Sequence, residues 1–173
     1  MRYVELRRHT DNDGDALTPD GVAAAEAIGN DGLHPPYHAM VSSGAARATQ
    51  MLEILRAATG QQDVPITENT ALRSSVEDRW RAAARAAGKG ADLEAMRVVD
   101  ADLVQMESQL LGAALREVVE ELPEGGRALV VGHSPSSEAA VLGLTGVSVP
   151  PLGKGAGVLV VESGGAYAVQ PLD

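Results

Sequence analysis

Residues 3–9, YVELRRH, and residues 127–133, RALVVGH, follow one pattern: a short apolar run of strand composition that stops on a histidine. A third run, HAMVSS from His38, leads into GAAR, which places Arg47 in the first turn of the next helical pattern. GVLVVE from Gly157 reads as a fourth strand, pairing with AYAVQ from Ala166. VPIT from Val64 is a weaker fifth, and Pro65 suits it to an edge or a strand start.

Helical patterns fill the intervals. In LTPDGVAAAEAIG, Thr18 is placed to cap, Pro19 fits the first helical position, Leu17 and Val22 can form the apolar staple, and the helix is expected to end near Gly29. GAARATQMLEILRAA sets Ala48, Met51, Leu52 and Leu55 on one face, and VEDRWRAAARAAG does the same with Val76, Trp80, Ala83, Ala84 and Ala87. The longest helix is expected from Asp102 to Leu122, with Leu103, Met106, Leu110, Ala114, Val118 and Leu122 as its buried stripe. A last one runs from about Pro135 to Leu144. Strands alternating with helices of this length imply parallel pairing through crossovers. The expected fold is α/β: a three-layer αβα sandwich with a mostly parallel central sheet, in a single domain spanning residues 1–173.

Composition narrows the function. With a formal net charge of -10 and no run of cations, an extended nucleic-acid backbone is repelled on average, while a local cationic pocket stays open. The absence of cysteine removes thiolate catalysis, disulfides and cysteine-based zinc sites. No signal pattern and no apolar run of membrane-spanning length occurs, so the expected location is cytoplasmic, with no membrane partner. Nothing in the sequence bears on oligomeric state. Aromatic content of only 2% leaves Ala, Val and Leu to fill the interior.

Open α/β sheets bind ligands outside the carboxyl ends of their strands. Here that rim collects His9 and His133 from two strand ends, Arg8 beside the first, and Arg47 at a helix start where backbone N–H groups already favour an anion. Strand alternation sends Arg7 to the side opposite Arg8, which leaves it a surface or structural residue.

RHT after the first strand, LTPDG opening the first helix, SSGAARATQ after the second strand and VVGHSP after a late strand, in that order over residues 3–135, resemble the landmarks of the histidine phosphatase superfamily. This is the phosphoglycerate mutase-like fold. Chain length and the RHTD start are similar to its small branch with little capping structure, which includes phosphohistidine phosphatases. The resemblance implies His9 as nucleophile, with Arg8, Arg47 and His133 as the phosphate-binding groups. The implied reaction is a metal-independent phosphatase reaction through a phosphohistidine intermediate, with no cofactor and a phosphorylated small molecule or phosphoprotein as partner. The chemistry is consistent: fixed donors aimed at the phosphoryl oxygens stabilise the charge of the transferring group, and neighbouring guanidiniums keep an imidazole neutral and nucleophilic.

Departures from the family pattern concern the pocket floor and the acid. Thr10 stands where the family has Gly, Gly44 where it has Pro, and Ser74 near the place of its usual Glu. Glu77, at the next helix start, and Asp11, after RHT, are the substitute candidates for general acid, with Glu77 preferred. A displaced acid leaves a second reading open: a catalytically impaired phosphate- or phosphoprotein-binding module with the same pocket.

Several other residues carry a plainer reading. Ser42 and Ser43 suit capping, with donation to phosphate as the alternative. His34 and His38 lack carboxylates at ligand spacing, so no metal site is expected. PPLGKGAG lacks Walker spacing, leaving Lys154 a minor candidate for substrate contact. Arg73, Arg79, Arg81 and Arg85 suit one solvated helix face or contact with an acidic substrate, and residues 88–101 a mobile connection or a lid.

Overall fold

A computed structural model describes residues 1–172. In chain order the elements are β1 (Arg2–Arg8), β2 (Asn12–Asp13), β3 (Ala16–Leu17), α1 (Pro19–Asp31), β4 (Ala39–Ser42), α2 (Ala46–Thr59), β5 (Ile66–Glu68), a 3-10 turn (Thr70–Leu72), α3 (Glu77–Ala87), α4 (Leu93–Val99), α5 (Ala101–Glu121), β6 (Arg127–Gly132), α6 (Ser136–Thr145), β7 (Gly157–Ser163) and β8 (Ala166–Leu172).

The main sheet has the order β5-β4-β6-β1-β7-β8. β5, β4, β6 and β1 run parallel, while β7 pairs antiparallel with β1 and β8 antiparallel with β7. Pro65 immediately precedes β5, the edge strand, so its missing N–H costs no ladder bond.

Period-two alternation divides the core. Val4, Leu6, Val41, Ala128 and Val130 face the layer that includes α3, α5 and α6, and Met40, Leu129 and Val131 face α1 and α2. The alternation also sends Glu5 and Arg7, both fully buried, toward the α1 and α2 side. Arg7 is thus structural: its Nη1 donates to the Gly155 carbonyl at 3.0 Å and its Nη2 to that of Gly32 at 3.1 Å.

Thr18 caps α1, accepting from Gly21 N–H at 3.0 Å, with Pro19 at the first position. The helix passes through Gly29 to Asp31 and ends at Gly32, beyond the expected stop. A Cβ at residue 29 would lie 2.7 Å from that of Ala58, so this glycine serves packing against α2 rather than termination.

The long helix matches its expected bounds, and Leu103, Ala114, Val118 and Leu122 of the expected stripe are buried, but the buried face is wider and leaves out the other two positions. Met106 and Leu110 are 41% and 59% exposed, whereas Val104, Glu107, Ser108, Leu111, Gly112, Leu115 and Val119 are buried. The true stripe contains a carboxylate, a hydroxyl and a glycine, which hydrophobic periodicity passes over. Gly143 is the reason for the glycine contact there: a Cβ on it would lie 1.7 Å from the Ser108 carbonyl oxygen, so α6 and α5 meet backbone to backbone.

Residues 88–101 prove more ordered than their composition implied. Asp92 caps α4, and Leu93 and Met96 are buried in the core, so the segment is anchored to it.

Candidate active site

The register of β1 on β6, with Arg8 opposite Gly132, makes His9 and His133 the next residues on adjacent parallel strands. Their rings accordingly meet edge to face, with centroids 5.2 Å apart. The His9 N–H donates to the Gly132 carbonyl at 3.0 Å, which locks the two strand ends together. β4 pairs Ser42 with Val131, so Ser43 comes level with the end of β6, and its Oγ lies 2.7 Å from His133 Nε2. Ser42 accepts from Gly44 N–H at 3.1 Å and shares a hydrogen bond with Thr49, bracing the turn before α2. Neither serine caps the helix as expected, because its N-cap is Ala45, which has no side-chain cap bond. Gly44 has φ +93, a conformation that glycine alone adopts freely, and this turn leads the chain into α2 and delivers Arg47.

Arg8, His9, Arg47 and His133 line one cleft of about 290 Å³, together with Ser74, Glu77, Trp80, Arg81, Ala84, Ser134, Pro135 and Ser136. Arg47 reaches across it: Nε points at His9 Nε2 at 3.4 Å and Nη2 lies 3.5 Å from His133 Nδ1. Arg8 Nη1 donates to the Leu152 carbonyl at 2.8 Å. His9 Nδ1 lies 2.8 Å from the Thr10 carbonyl oxygen. A carbonyl only accepts, so Nδ1 carries the proton and the Nε2 lone pair is left on the cleft side.

Both imidazoles are held neutral. Burial pushes the His9 pKa down, with Arg47, Arg8 and Lys154 adding to it against the hydrogen bond to Thr10. Burial, followed by Arg47 and His9, pushes His133 down to about 3.

The two acid candidates separate. Glu77 lines the cleft, but Arg73 Nε donates to it at 2.6 Å, and that hydrogen bond holds its carboxyl below the usual range. Asp11 stands outside the cleft, with its carboxylate accepting from Thr18 Oγ1 at 2.8 Å and Lys154 Nζ at 3.1 Å. Those contacts, Thr18 first, lower its pKa as well. Lys154 also reaches Asn12, so the structure ties it to the β2–β3 hairpin. Ser74 faces the cleft and donates to Glu107, a carboxylate buried on α5 that also accepts from Trp80 Nε1 at 3.1 Å.

Of the basic patch, Arg73, Arg79 and Arg81 are each paired with carboxylates, and Arg81 alone lines this cleft. No residue of 88–101 does. Among the described residues no cluster of three or more His, Asp or Glu is arranged to hold a metal ion. His34 Nδ1 pairs with buried Glu5 at 2.9 Å, and His38 Nδ1 accepts the Arg127 N–H. No described helix is long and apolar enough to cross a membrane.

Sequence reasoning missed Asp15, whose carboxylate takes Arg47 Nη1 at 2.9 Å, and Glu138, buried in the first turn of α6. The DNDGD stretch could have signalled a hairpin through its Gly14-Asp15 turn, but Glu138 gave no such cue.

No family model matches the chain, and no curated protein is similar to it in sequence at a significant level. Solved structures are similar over nearly its whole length. A phosphoglycerate mutase from Bacillus anthracis str. Sterne superposes with a TM-score of 0.76 at 18% identity, covering 98% of this chain and 92% of the other. The fold is that of the phosphoglycerate mutase-like proteins. A phosphoserine phosphatase from Entamoeba histolytica shares this phosphoglycerate mutase-like fold, with a TM-score of 0.71 at 13% identity and coverage of 100% and 98%. The protein histidine phosphatase SixA, complexed with tungstate, does so with a TM-score of 0.60 at 18% identity and coverage of 99% and 96%. The sheet expected from the strand and helix pattern is thus the sheet of this fold.

Proposed function

We propose that the chain is a metal-independent phosphatase that hydrolyses a phosphomonoester or a phosphohistidine through a covalent phosphohistidine on His9. One observation carries the reading: the Nδ1–H of His9 is committed to the Thr10 carbonyl, which leaves an unprotonated Nε2 on the cleft side, where it accepts from Arg47 Nε at 3.4 Å until a phosphoryl group takes that guanidinium. The histidine phosphatase SixA and the phosphoserine phosphatase, similar in fold, support the same class of chemistry.

In the first step the Nε2 lone pair attacks phosphorus, the P–O or P–N bond to the leaving group breaks, and the leaving group takes its electrons, with a proton from solvent or a protonated cleft carboxyl where its basicity requires one. Arg8 and Arg47 hold the equatorial oxygens with fixed positive charge, the role a metal ion fills elsewhere. In the second step water attacks phosphorus, the P–Nε2 bond breaks, and one water proton passes to solvent or to a cleft carboxylate. Neutral His9 is the reactive form in step one, and the depressed pKa keeps it so through neutral pH.

The leaving-group proton separates the substrates. With Glu77 held ionised by Arg73, an alkyl phosphate is the poorest substrate, and an aryl phosphate or phosphohistidine the best. The same carboxylate pairing favours the second reading, a module that captures phosphate without turnover.

The test is a panel of p-nitrophenyl phosphate, an alkyl phosphate and a phosphohistidine peptide, assayed in excess chelator. Turnover that disappears in His9→Ala is expected. Undiminished activity in that variant refutes the mechanism, and tight phosphate binding with no hydrolysis of any member establishes the binding module. Glu77→Gln and Asp11→Asn assign the acid: the true donor loses about 10²-fold or more on the alkyl ester and far less on the aryl ester.

A further inference from the structure

We infer that Glu138 is a positioning residue for phosphate capture, a buried counter-charge that seats Arg8 and ties the segment 149–155 to the floor of the cleft. The inference rests on the phosphate-capture part of the function proposed above.

Glu138 lies in the first turn of α6 and is 2% exposed. Its Oε2 accepts from Ser134 Oγ, a cleft-lining group next to His133, and from the Leu152 N–H at 3.5 Å. Leu152 in turn gives its carbonyl to Arg8 Nη1 at 2.8 Å. One carboxylate therefore links the end of β1, the β6–α6 turn and the incoming segment before β7.

Strand alternation explains why they meet. Val4 and Leu6 of β1 point into the layer that holds α6, and Arg8, next in that series, follows them. Glu138 Oε1 is a buried acceptor and Arg8 Nε a buried donor, each without a hydrogen-bond partner among the described residues. The two charges feel each other: burial lowers the Arg8 pKa and Glu138 opposes it, while burial raises the Glu138 pKa and Ser134, Leu152 and Arg8 oppose it.

A part-buried guanidinium stays charged, and what fixes its direction is the set of acceptors and counter-charges around it, here the Leu152 carbonyl and the buried carboxylate held by the same residue. Arg8 lines the cleft and Glu138 does not, so the carboxylate acts from outside it and leaves the guanidinium available to a phosphoryl oxygen.

A double-mutant cycle on orthophosphate affinity, measured by calorimetry, tests this independently of turnover. Glu138→Gln keeps the shape and loses the charge, and it is expected to weaken orthophosphate binding about tenfold. In the Arg8→Ala background the same change is expected to cost less than about twofold, because Glu138 acts through Arg8. Equal losses in both backgrounds, or no loss in either, overturn the inference. If Glu138→Gln folds poorly, the cycle is run with Glu138→Asp, which keeps the charge at a displaced position; non-additivity supports the proposal and additivity again rejects it. A wild-type protein that neither binds orthophosphate nor turns over p-nitrophenyl phosphate sinks the phosphatase reading itself, an outcome distinct from additivity in a phosphate-binding protein.

Discussion

At the scale of single residues, the cleft holds its charges through specific partners. Arg47 is shared among His9, His133 and the exposed carboxylate of Asp15 on the β2–β3 connection. Asp15 competes with any bound anion for the Arg47 Nη1 donor. Because Asp15 is well exposed, solvent screens the competition. Asp15→Asn is therefore expected to tighten orthophosphate binding only about two- to fivefold at low salt, an effect that shrinks in added salt. Calorimetry at two ionic strengths checks it, and weaker binding in the variant would show that Asp15 organises Arg47 instead of competing for it. The neutral imidazoles follow from the same surroundings, since three cations and burial all disfavour a fourth positive charge at His9.

At the scale of elements, the site depends on how α5 and α6 meet the sheet. Gly143 sits against the Ser108 backbone and lets α6 approach closely enough to bring Ser134 to the cleft, with Glu138 accepting from it. The observed buried face of α5 makes a direct prediction from neighbouring leucines. Leu111 is 1% exposed and Leu110 59%. Leu111→Ala is expected to cost about 3 kcal/mol and Leu110→Ala less than about 0.5 kcal/mol in urea unfolding. A larger cost at Leu110 than at Leu111 would place the buried face where hydrophobic stepping alone put it. The sequence pattern missed part of the face for a physical reason: the portion with Glu107, Ser108 and Gly112 has low hydrophobicity, and its burial depends on Ser74, Trp80 and Gly143 supplied by other elements.

At the scale of the whole molecule, burying neutral histidines links stability to pH. The unfolded His133 imidazole takes its proton near 6.5, and the folded one only near about 3. Between those values the unfolded chain binds more protons, so stability rises with pH across the window and is lost as pH falls through it. The depressed His9 adds in the same direction. Acidification from pH 7 to pH 4 is expected to remove about 3 kcal/mol through His133, by urea titration at a series of pH values. His133→Gln should flatten that part of the dependence while leaving the share of the paired carboxylates; an unchanged slope would mean that the imidazole stays solvated in the folded state.

Sequence alone determined what repeats locally. Period-two apolar runs marked the strands, the Thr18-Pro19 pair marked the start of α1, and two strands ending in histidine, with arginines at one rim, marked the cleft. Those features depend on a residue and its chain neighbours, so they survive in one dimension. Tertiary structure alone decided which polar groups become partners: Ser43 with His133, Ser74 with Glu107, Asp15 with Arg47, and Glu138 with the Leu152 N–H. These contacts join residues 90, 33 and 32 positions apart in three of the four cases. A hydrogen bond or a buried counter-charge has no period along the chain, so it becomes legible only when the sheet register and the helix approach bring its two ends together.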